Sequence, residues 1–347
     1  MNKYEIFIVD PLALKHSNSH HKAVISFLLR SQGHSKLFFP DAIFENKYHE
    51  FLPKRYLNKF RILIFLTIYS IDYCAKYRQL FYKKTIFCPN VDYVTATVLL
   101  IARKFGVIDV KFIFRNIGIL DNSTLPPLFR YMAKYFLRFT LDIADRISSE
   151  TKSLQFETQC LISQKIQVTH TPFPGFLLCQ ETDLISTQNT FLFIGEPRED
   201  KGYLEVLKKV PSMPNTHFRI QKPSVITPLF KSALEEISSC KNLAFFSQPK
   251  NDQEILDEIS KSAGVLLPYS KNAFRVRGSA ILTAAIIAKK PVISYKEISF
   301  RTECQNFSEF VDWQDFTEIG LISNLHGYAA KSDYRAYVQS RWMELIS

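Results

Sequence analysis

The stretch FLFIGEPREDKG, residues 191–202, sets the fold question. An apolar run ends at Gly195, charged residues follow, and Lys201-Gly202 leads into YLEVLKKV, which has helical spacing. The pattern is a strand, a loop and a helix. Backbone N–H groups in such a loop, with the free N–H groups of the next helix, can hold an anion. Lys201 would set a point charge against a phosphate and Arg198 would bind one bidentately. Taken alone, the stretch reads better as a polar turn with exposed charges, since strand–Gly–helix corners are common.

A second stretch, VLLPYSKNAFRVRGSAILTAAIIAKKPVISY (265–295), repeats the arrangement. Its strand ends at Pro268-Tyr269, and its loop carries Arg275, Arg277, Gly278 and Ser279. A helix of small and apolar residues follows. Serine is a favoured N-cap, so Ser279 marks a helix start whose N–H groups face outward. Two arginines beside it suit negative charge, whether as a diphosphate cradle or as solvated neighbours of a cap.

Outward from these loops, strand and helix patterns alternate. The first half offers strands at 4–10, 35–40, 85–90 and 110–118, with helix patterns at 22–32, 91–106 and 128–141. DRISSETK (145–152) reads as a short strand leading to a polar turn, and KIQVTHTPFP (165–174) as a strand ending in a proline-rich linker. The second half restarts at TFLFIG (190–195) and continues with strands at 217–220, 243–247, 263–269 and 291–295. Helices fall between them at 203–210, 228–239, 251–260 and 278–288, and one more amphipathic helix spans 332–345. Such alternation implies parallel sheets covered on both faces. It occurs twice, on either side of prolines near 171–176, and 347 residues suit two domains. The expectation is α/β, two doubly wound domains with a cleft between them and ligands beyond the carboxyl ends of the strands.

The net charge of +11 lies wholly in residues 1–170, and residues 171–347 are neutral overall. That asymmetry points to a polyanionic partner of the first half, nucleic acid or an anionic membrane surface, or to a basic surface kept for solubility. Residues 53–84 hold eight Lys/Arg and one acid among aromatics, a pattern suited to an anionic membrane face, with Lys54, Arg55, Lys59 and Arg61 foremost. An ordinary core helix pair with a basic rim fits as well. Arg130, Lys134 and Arg138 recur every fourth residue and line one side of the 128–141 helix. No helix-turn-helix, zinc-finger or RNA-binding strand signature accompanies the charge, so nucleic acid ranks last. The amino terminus has no signal-peptide pattern. Apolar runs such as 62–69 are far short of the roughly 20 residues that cross a bilayer. Six cysteines without a C-x-x-C spacing suggest neither a zinc site nor a disulfide framework. A cytoplasmic protein, soluble or peripheral at the inner face of a membrane, is expected.

The two loops together resemble the nucleotide-sugar half of GT-B glycosyltransferases, in particular the retaining family-four group of bacterial polysaccharide assembly. The counterparts are Gly195 with Lys201-Gly202, then Leu267-Pro268-Tyr269, Gly278-Ser279, and Ala288-Lys289-Lys290-Pro291-Val292-Ile293. More loosely, Gly33-His34, Ala144-Asp145-Arg146-Ile147 and Lys165-Ile166 with Pro172 match elements of the first domain. The sequence departs from the pattern at Glu196, where the group has an arginine, and at Val276 and Ala284, where it has two glutamates. SNSHH replaces the glycine-rich loop after the first strand, and Arg115-Asn116 stands where a histidine is common.

The resemblance implies two Rossmann-like domains: residues 1–174 binding the acceptor, residues 175–330 binding the nucleotide-sugar, and a helix at 331–347 packing back on the first. It implies a UDP- or GDP-sugar donor, a glycan or lipid-linked acceptor of surface polysaccharide or lipopolysaccharide synthesis, and no metal or other cofactor. Gly195, Arg198, Lys201, Arg275, Arg277, Gly278 and Ser279 would hold the diphosphate, beside a nucleotide pocket at Pro268 and Tyr269. His20, His21, Arg115 and Asn116 would line the acceptor side. Retaining transfer of this type needs no protein nucleophile, so no catalytic carboxylate is nominated. The alternative is a GT-B homologue without activity, serving as a binding or scaffold partner.

Overall fold

Parallel strands buried on both faces need near-continuous apolar runs, and the sequence supplies such runs in two sets. The computed structural model describes residues 82–91, 93–117, 127–162, 166–180, 189–318 and 333–346, with residues 6–8, 24, 27, 28, 36, 37, 71, 75, 78 and 79. The chain divides into two compact units, Met1–Pro172 with Arg341–Ser347, and Phe173–Ser340.

In the first unit the strands are β1 (Ile6–Ile8), β2 (Lys36–Leu37), β3 (Lys84–Cys88), β4 (Val110–Arg115), β5 (Arg146–Ser149) and β6 (Val168–His170). They form one parallel sheet in the order β2-β1-β3-β4-β5-β6. Its helices include α1 (Tyr93–Lys104), α2 (Pro127–Arg138) and α3 (Lys152–Leu161). The core joins Ile86, Phe112, Phe114 and Ile147 of the strands to Leu99, Leu100 and Leu137 of the helices. The polar turn read at 150–152 opens α3: the Thr151 side chain accepts a hydrogen bond from the Leu154 N–H at 3.1 Å, a standard cap. The strand read over 165–174 is only three residues long, because Pro172 and Pro174 cannot donate to a ladder.

The second unit holds β7 (Thr190–Phe193), β8 (His217–Gln221), β9 (Leu243–Phe246), β10 (Gly264–Leu266), β11 (Val292–Ser294) and β12 (Phe310–Asp312). They are again all parallel, in the order β12-β11-β10-β7-β8-β9. This is the 3-2-1-4-5-6 order of a dinucleotide-binding sheet. Its connections are α4 (Tyr203–Lys209), α5 (Pro228–Glu236), α6 (Asp252–Ser260), α7 (Ala280–Ile287) and α8 (Ser299–Cys304). Strand β12 and helix α8 have no counterpart in the sequence reading; three and six residues are too few to show a period. Six consecutive residues of α7, Ile281 to Ile286, are buried, so the helix is central rather than amphipathic.

The last helix, α9 (Tyr334–Ile346), starts in the second unit and finishes in the first, where Trp342 is its anchor. The Trp342 indole is fully buried, donates to the Pro172 carbonyl at 2.8 Å, and meets Phe27 edge-on at 5.4 Å and Phe87 at 5.9 Å. Arg146 donates to the carbonyls of Glu344 and Leu345, the free carbonyls of the helix end. Among the described residues no helix is long and apolar enough to cross a membrane. Truncating the anchor tests its weight. Trp342→Ala is expected to destabilise the first unit by ~3–5 kcal/mol in urea unfolding followed by circular dichroism. Trp342→Phe, which loses mainly the indole hydrogen bond, should cost about 1 kcal/mol.

Candidate functional site

The sheet order of the second unit makes β7 and β10 neighbours, with β8 on the other side of β7. Successive connections leave β7 in opposite directions there, so the loops after β7 and β10 open at a switch point. The two stretches that stood out in the sequence are these two loops. Gly195 follows β7 with φ of +99°, a conformation that favours glycine. Its N–H donates to Gln221 Oε1 at 2.9 Å, tying the loop to the end of β8. Glu196 turns aside: its carboxylate accepts from the Ser224 N–H at 3.2 Å and from the Ser224 hydroxyl.

One turn of 3-10 helix, Glu199–Lys201, then delivers Gly202 at φ of +72°, in the left-handed region. A Cβ on Gly202 would stand 2.1 Å from the Pro268 carbonyl oxygen, so the two loops touch there backbone to backbone. A hydrogen bond from the Ser270 N–H to the Asp200 carbonyl, 2.9 Å, fastens them a second time. Lys201 is folded back over the strand end. Its Nζ lies 3.3 Å from the position a Cβ on Gly195 would take, and Ile281, in the first turn of α7, lies 3.4 Å from the same point. Gly195, the Lys201 ammonium and the opening turn of α7 therefore share one small volume. Burial first, and the Arg198 charge second, pull the Lys201 pKa down to about 8.

Arg198 is engaged within its own loop. Its Nε meets Asp200 Oδ1 at 2.9 Å and its Nη2 meets Oδ2 at 3.0 Å, a bidentate pair that is partly exposed. On the second loop, Tyr269 is buried with its ring 4.2 Å from Phe274, and burial raises its phenol to about 12. The Ser279 hydroxyl donates to the Tyr269 oxygen at 3.4 Å and accepts from the Leu282 N–H at 3.2 Å, capping α7. Arg275 is exposed and Arg277 half-buried, on either side of buried Val276. Ala284 is fully buried in α7.

The structure thus gathers Gly195, Lys201, Pro268, Tyr269 and Ser279 at one corner of the second unit. Gly278 and the two arginines border it on the second loop. Arg115 and Asn116, read from the sequence as acceptor or cleft residues, are buried inside the first unit. Arg115 ends β4 and Asn116 follows it, both with no exposed surface. The guanidinium pairs with Glu150 at 3.2 Å, donates to the Thr171 carbonyl at 3.1 Å and lies 5.2 Å from the Trp342 ring. The Asn116 amide donates to Asn90 and Glu150 at 3.1 Å each and accepts from the Glu150 N–H at 2.7 Å. A buried charge keeps such partners because leaving it unpaired costs several kcal/mol. His20, His21, Lys54, Arg55, Lys59 and Arg61 lie outside the described residues. Among the described residues no group of three or more His, Cys, Asp and Glu side chains could hold a metal ion.

Sequence reasoning missed Gln221, Ser224 and Ser270. Gln221 and Ser224 come from the end of β8 and the loop after it, Ser270 from the loop after β10, and no spacing connects them to FLFIGEPREDKG. No family model and none of the curated proteins matches this sequence. Solved structures do match. A lipopolysaccharide outer core galactosyltransferase, WaaB in its apo form, superposes with a TM-score of 0.59 at 12% identity, covering 99% of this chain and 95% of that one. Trehalose-6-phosphate synthase OtsA gives 0.57 at 11% identity, covering 99% and 94%. HepE from Anabaena, solved with UDP and glucose, gives 0.55 at 10% identity, covering 97% and 95%. The chain has the GT-B glycosyltransferase fold, as the paired loops implied.

The backbone contact at Gly202 can be weighed against a neutral site. Gly106 also has positive φ, +70°, but a Cβ there would meet nothing within 4 Å. Gly106→Ala should cost only the backbone penalty, about 1 kcal/mol. Gly202→Ala must also push the two loops apart, so its melting temperature should fall at least twice as far by scanning calorimetry.

Proposed function

We propose that this protein is a glycosyltransferase that moves a sugar from a nucleoside diphosphate donor to a glycan or lipid-linked acceptor in surface polysaccharide synthesis. The observation that carries the proposal is the Lys201 ammonium, partly desolvated, over Gly195 and beside the opening turn of α7. The fold supports it, and so do similar structures described as a galactosyltransferase and as a complex with UDP and glucose.

In this reading the bond from the anomeric carbon to the diphosphate oxygen breaks as the acceptor oxygen bonds to that carbon. The acceptor's proton leaves with the diphosphate. The negative charge growing on the leaving group is the quantity to stabilise, and fixed donors in a dry corner do so most effectively. Lys201 supplies a full charge, the N–H groups after Ser279 supply the helix-end dipole, and Arg275 or Arg277 closes from the second loop. Because side chains and N–H groups provide the positive charge, transfer is proposed to run without a metal ion; retention at the anomeric carbon is proposed from the resemblance to the retaining family-four group alone. Pro268 and Tyr269 would flank the nucleotide. A second reading, a binding homologue without activity, is favoured by Arg198, whose charge Asp200 already occupies.

Incubation with a panel of UDP-, GDP- and CMP-sugars decides between them. Transfer or donor hydrolysis that survives a chelator and disappears in Lys201→Ala supports the enzyme. Nucleotide binding with no turnover supports the binding homologue, and no binding of any nucleotide defeats both. The Lys201 shift adds a pH signature. Its pKa in the free protein is about 8, below the ordinary 10.5, so above pH 8 the amine is neutral and an anion must bring back a proton. Affinity for UDP or GDP, by titration calorimetry, should be flat below that point and fall by up to about tenfold per pH unit above it. Lys201→Arg keeps its charge and should flatten the profile, whereas Lys201→Ala should weaken binding ~10- to 100-fold at neutral pH.

A further inference from the structure

The edge strand of a sheet presents backbone N–H and C=O groups that its neighbours do not use, and a protein has to cover them. β6 is such an edge, last in the order of the first sheet. Helix α3 covers it with two glutamines. The Val168 N–H donates to Gln159 Oε1 at 2.8 Å, Gln155 Nε2 donates to the Val168 carbonyl at 2.7 Å, and Gln159 Nε2 donates to the Ile166 carbonyl at 3.1 Å. These bonds hold both amides in place, and each amide keeps further donor and acceptor capacity. Both line a groove of about 610 Å³, together with Lys152, Phe156 and Gln167. Lys152, Gln155, Phe156 and Gln159 recur at helical spacing on one side of α3, whereas Leu154 and Thr158 are buried. Phe156 is 71% exposed, Gln167 is exposed, and the described lining holds no carboxylate.

We propose that this groove binds a stretch of oligosaccharide, as a glycan site separate from the diphosphate corner. Sugar hydroxyls come in neighbouring pairs that donate and accept, and a planar amide offers a donor and an acceptor side by side. The C–H face of a sugar ring lies flat on an exposed aromatic ring, which Phe156 supplies. Amides already fixed by the strand lose little freedom when a ligand arrives. The volume falls within the roughly 300–1,000 Å³ of small-ligand clefts. From Lys152 to Gln159 the helix runs roughly 10 Å, longer than one sugar ring. A peptide strand added to the edge is a poorer occupant. The outward groups of Val168 and Ile166 that it would pair with are already bonded to the glutamines. The whole groove belongs to the first unit. The choice of a glycan rests on the proposed function, whose acceptor is one, whereas the geometry of the groove does not.

Titration with no donor present tests it. The probes are oligosaccharides of glucose, galactose, mannose and N-acetylglucosamine, each from one ring to four. Wild-type protein in a calorimeter should bind at least one series with a Kd of about 1 mM or tighter, strengthening about tenfold from one ring to three. Phe156→Ala should weaken binding about tenfold and Gln167→Ala about threefold, with melting temperatures unchanged because both side chains are exposed. Phe156→Tyr keeps the ring and should restore binding. Phe156→Trp gives a second reading: Trp313 and Trp342 are both buried, so a shifted emission on adding sugar reports the new indole. Lys201→Ala should leave all of this intact. No binding of any series at about 20 mM, no gain with ring number, or equal binding by Phe156→Ala would overturn the proposal. Glycan binding without nucleotide binding would keep the groove and defeat the transferase, and sugar transfer without glycan binding at Phe156 would do the reverse.

Discussion

The corner of the second unit depends on one close approach, Gly202 against the Pro268 carbonyl. With no room for a Cβ and a left-handed backbone, the residue after Lys201 has one viable identity. That contact fixes where the 3-10 turn ends, and so where the Lys201 stem begins its return over Gly195. The same contact sets the starting point of α4, whose Tyr203 packs beneath against Phe193 and Phe230. Backbone contact is a stricter constraint than side-chain packing, because neither partner can change rotamer to escape it.

Electrostatically the corner separates two cations that look interchangeable in the sequence. Arg198 and Lys201 stand three residues apart, yet Arg198 spends its fork on Asp200 at the surface while Lys201 is drawn inward. The inward group is the one whose charge is costly, as its lowered pKa records. Under the proposed function, a charge held at a cost would be partly relieved when a phosphate arrives. Glu196, at the position of an arginine in the resembling group, has its carboxylate held to one side by Ser224.

Much of the architecture could be read before folding. Apolar runs alternating with helical periods gave two parallel sheets, and Ser279 announced the start of α7 by its chemistry. β12 and α8 stayed hidden for want of a period, and α3 was not read beyond the polar turn that opens it. Arg115 misled for a physical reason. An arginine at a strand end is ordinarily exposed, and its burial here needs Glu150 next to the end of β5, the Thr171 carbonyl and the Trp342 ring from a helix more than 200 residues away in sequence.

By itself the sequence determined the alternation of elements, the placing of charge in the first half, and the two loops with their glycines, lysine and N-cap, because these depend on local geometry and composition. Only the tertiary structure decided which loops meet, which cation is desolvated and which arginine is locked inside. The meeting of the loops follows from strand order: β7 and β10, more than 70 residues apart, become neighbours at the switch point. A group's charge state and reach are set by what stands beside it in space, and strand order, not sequence spacing, puts it there.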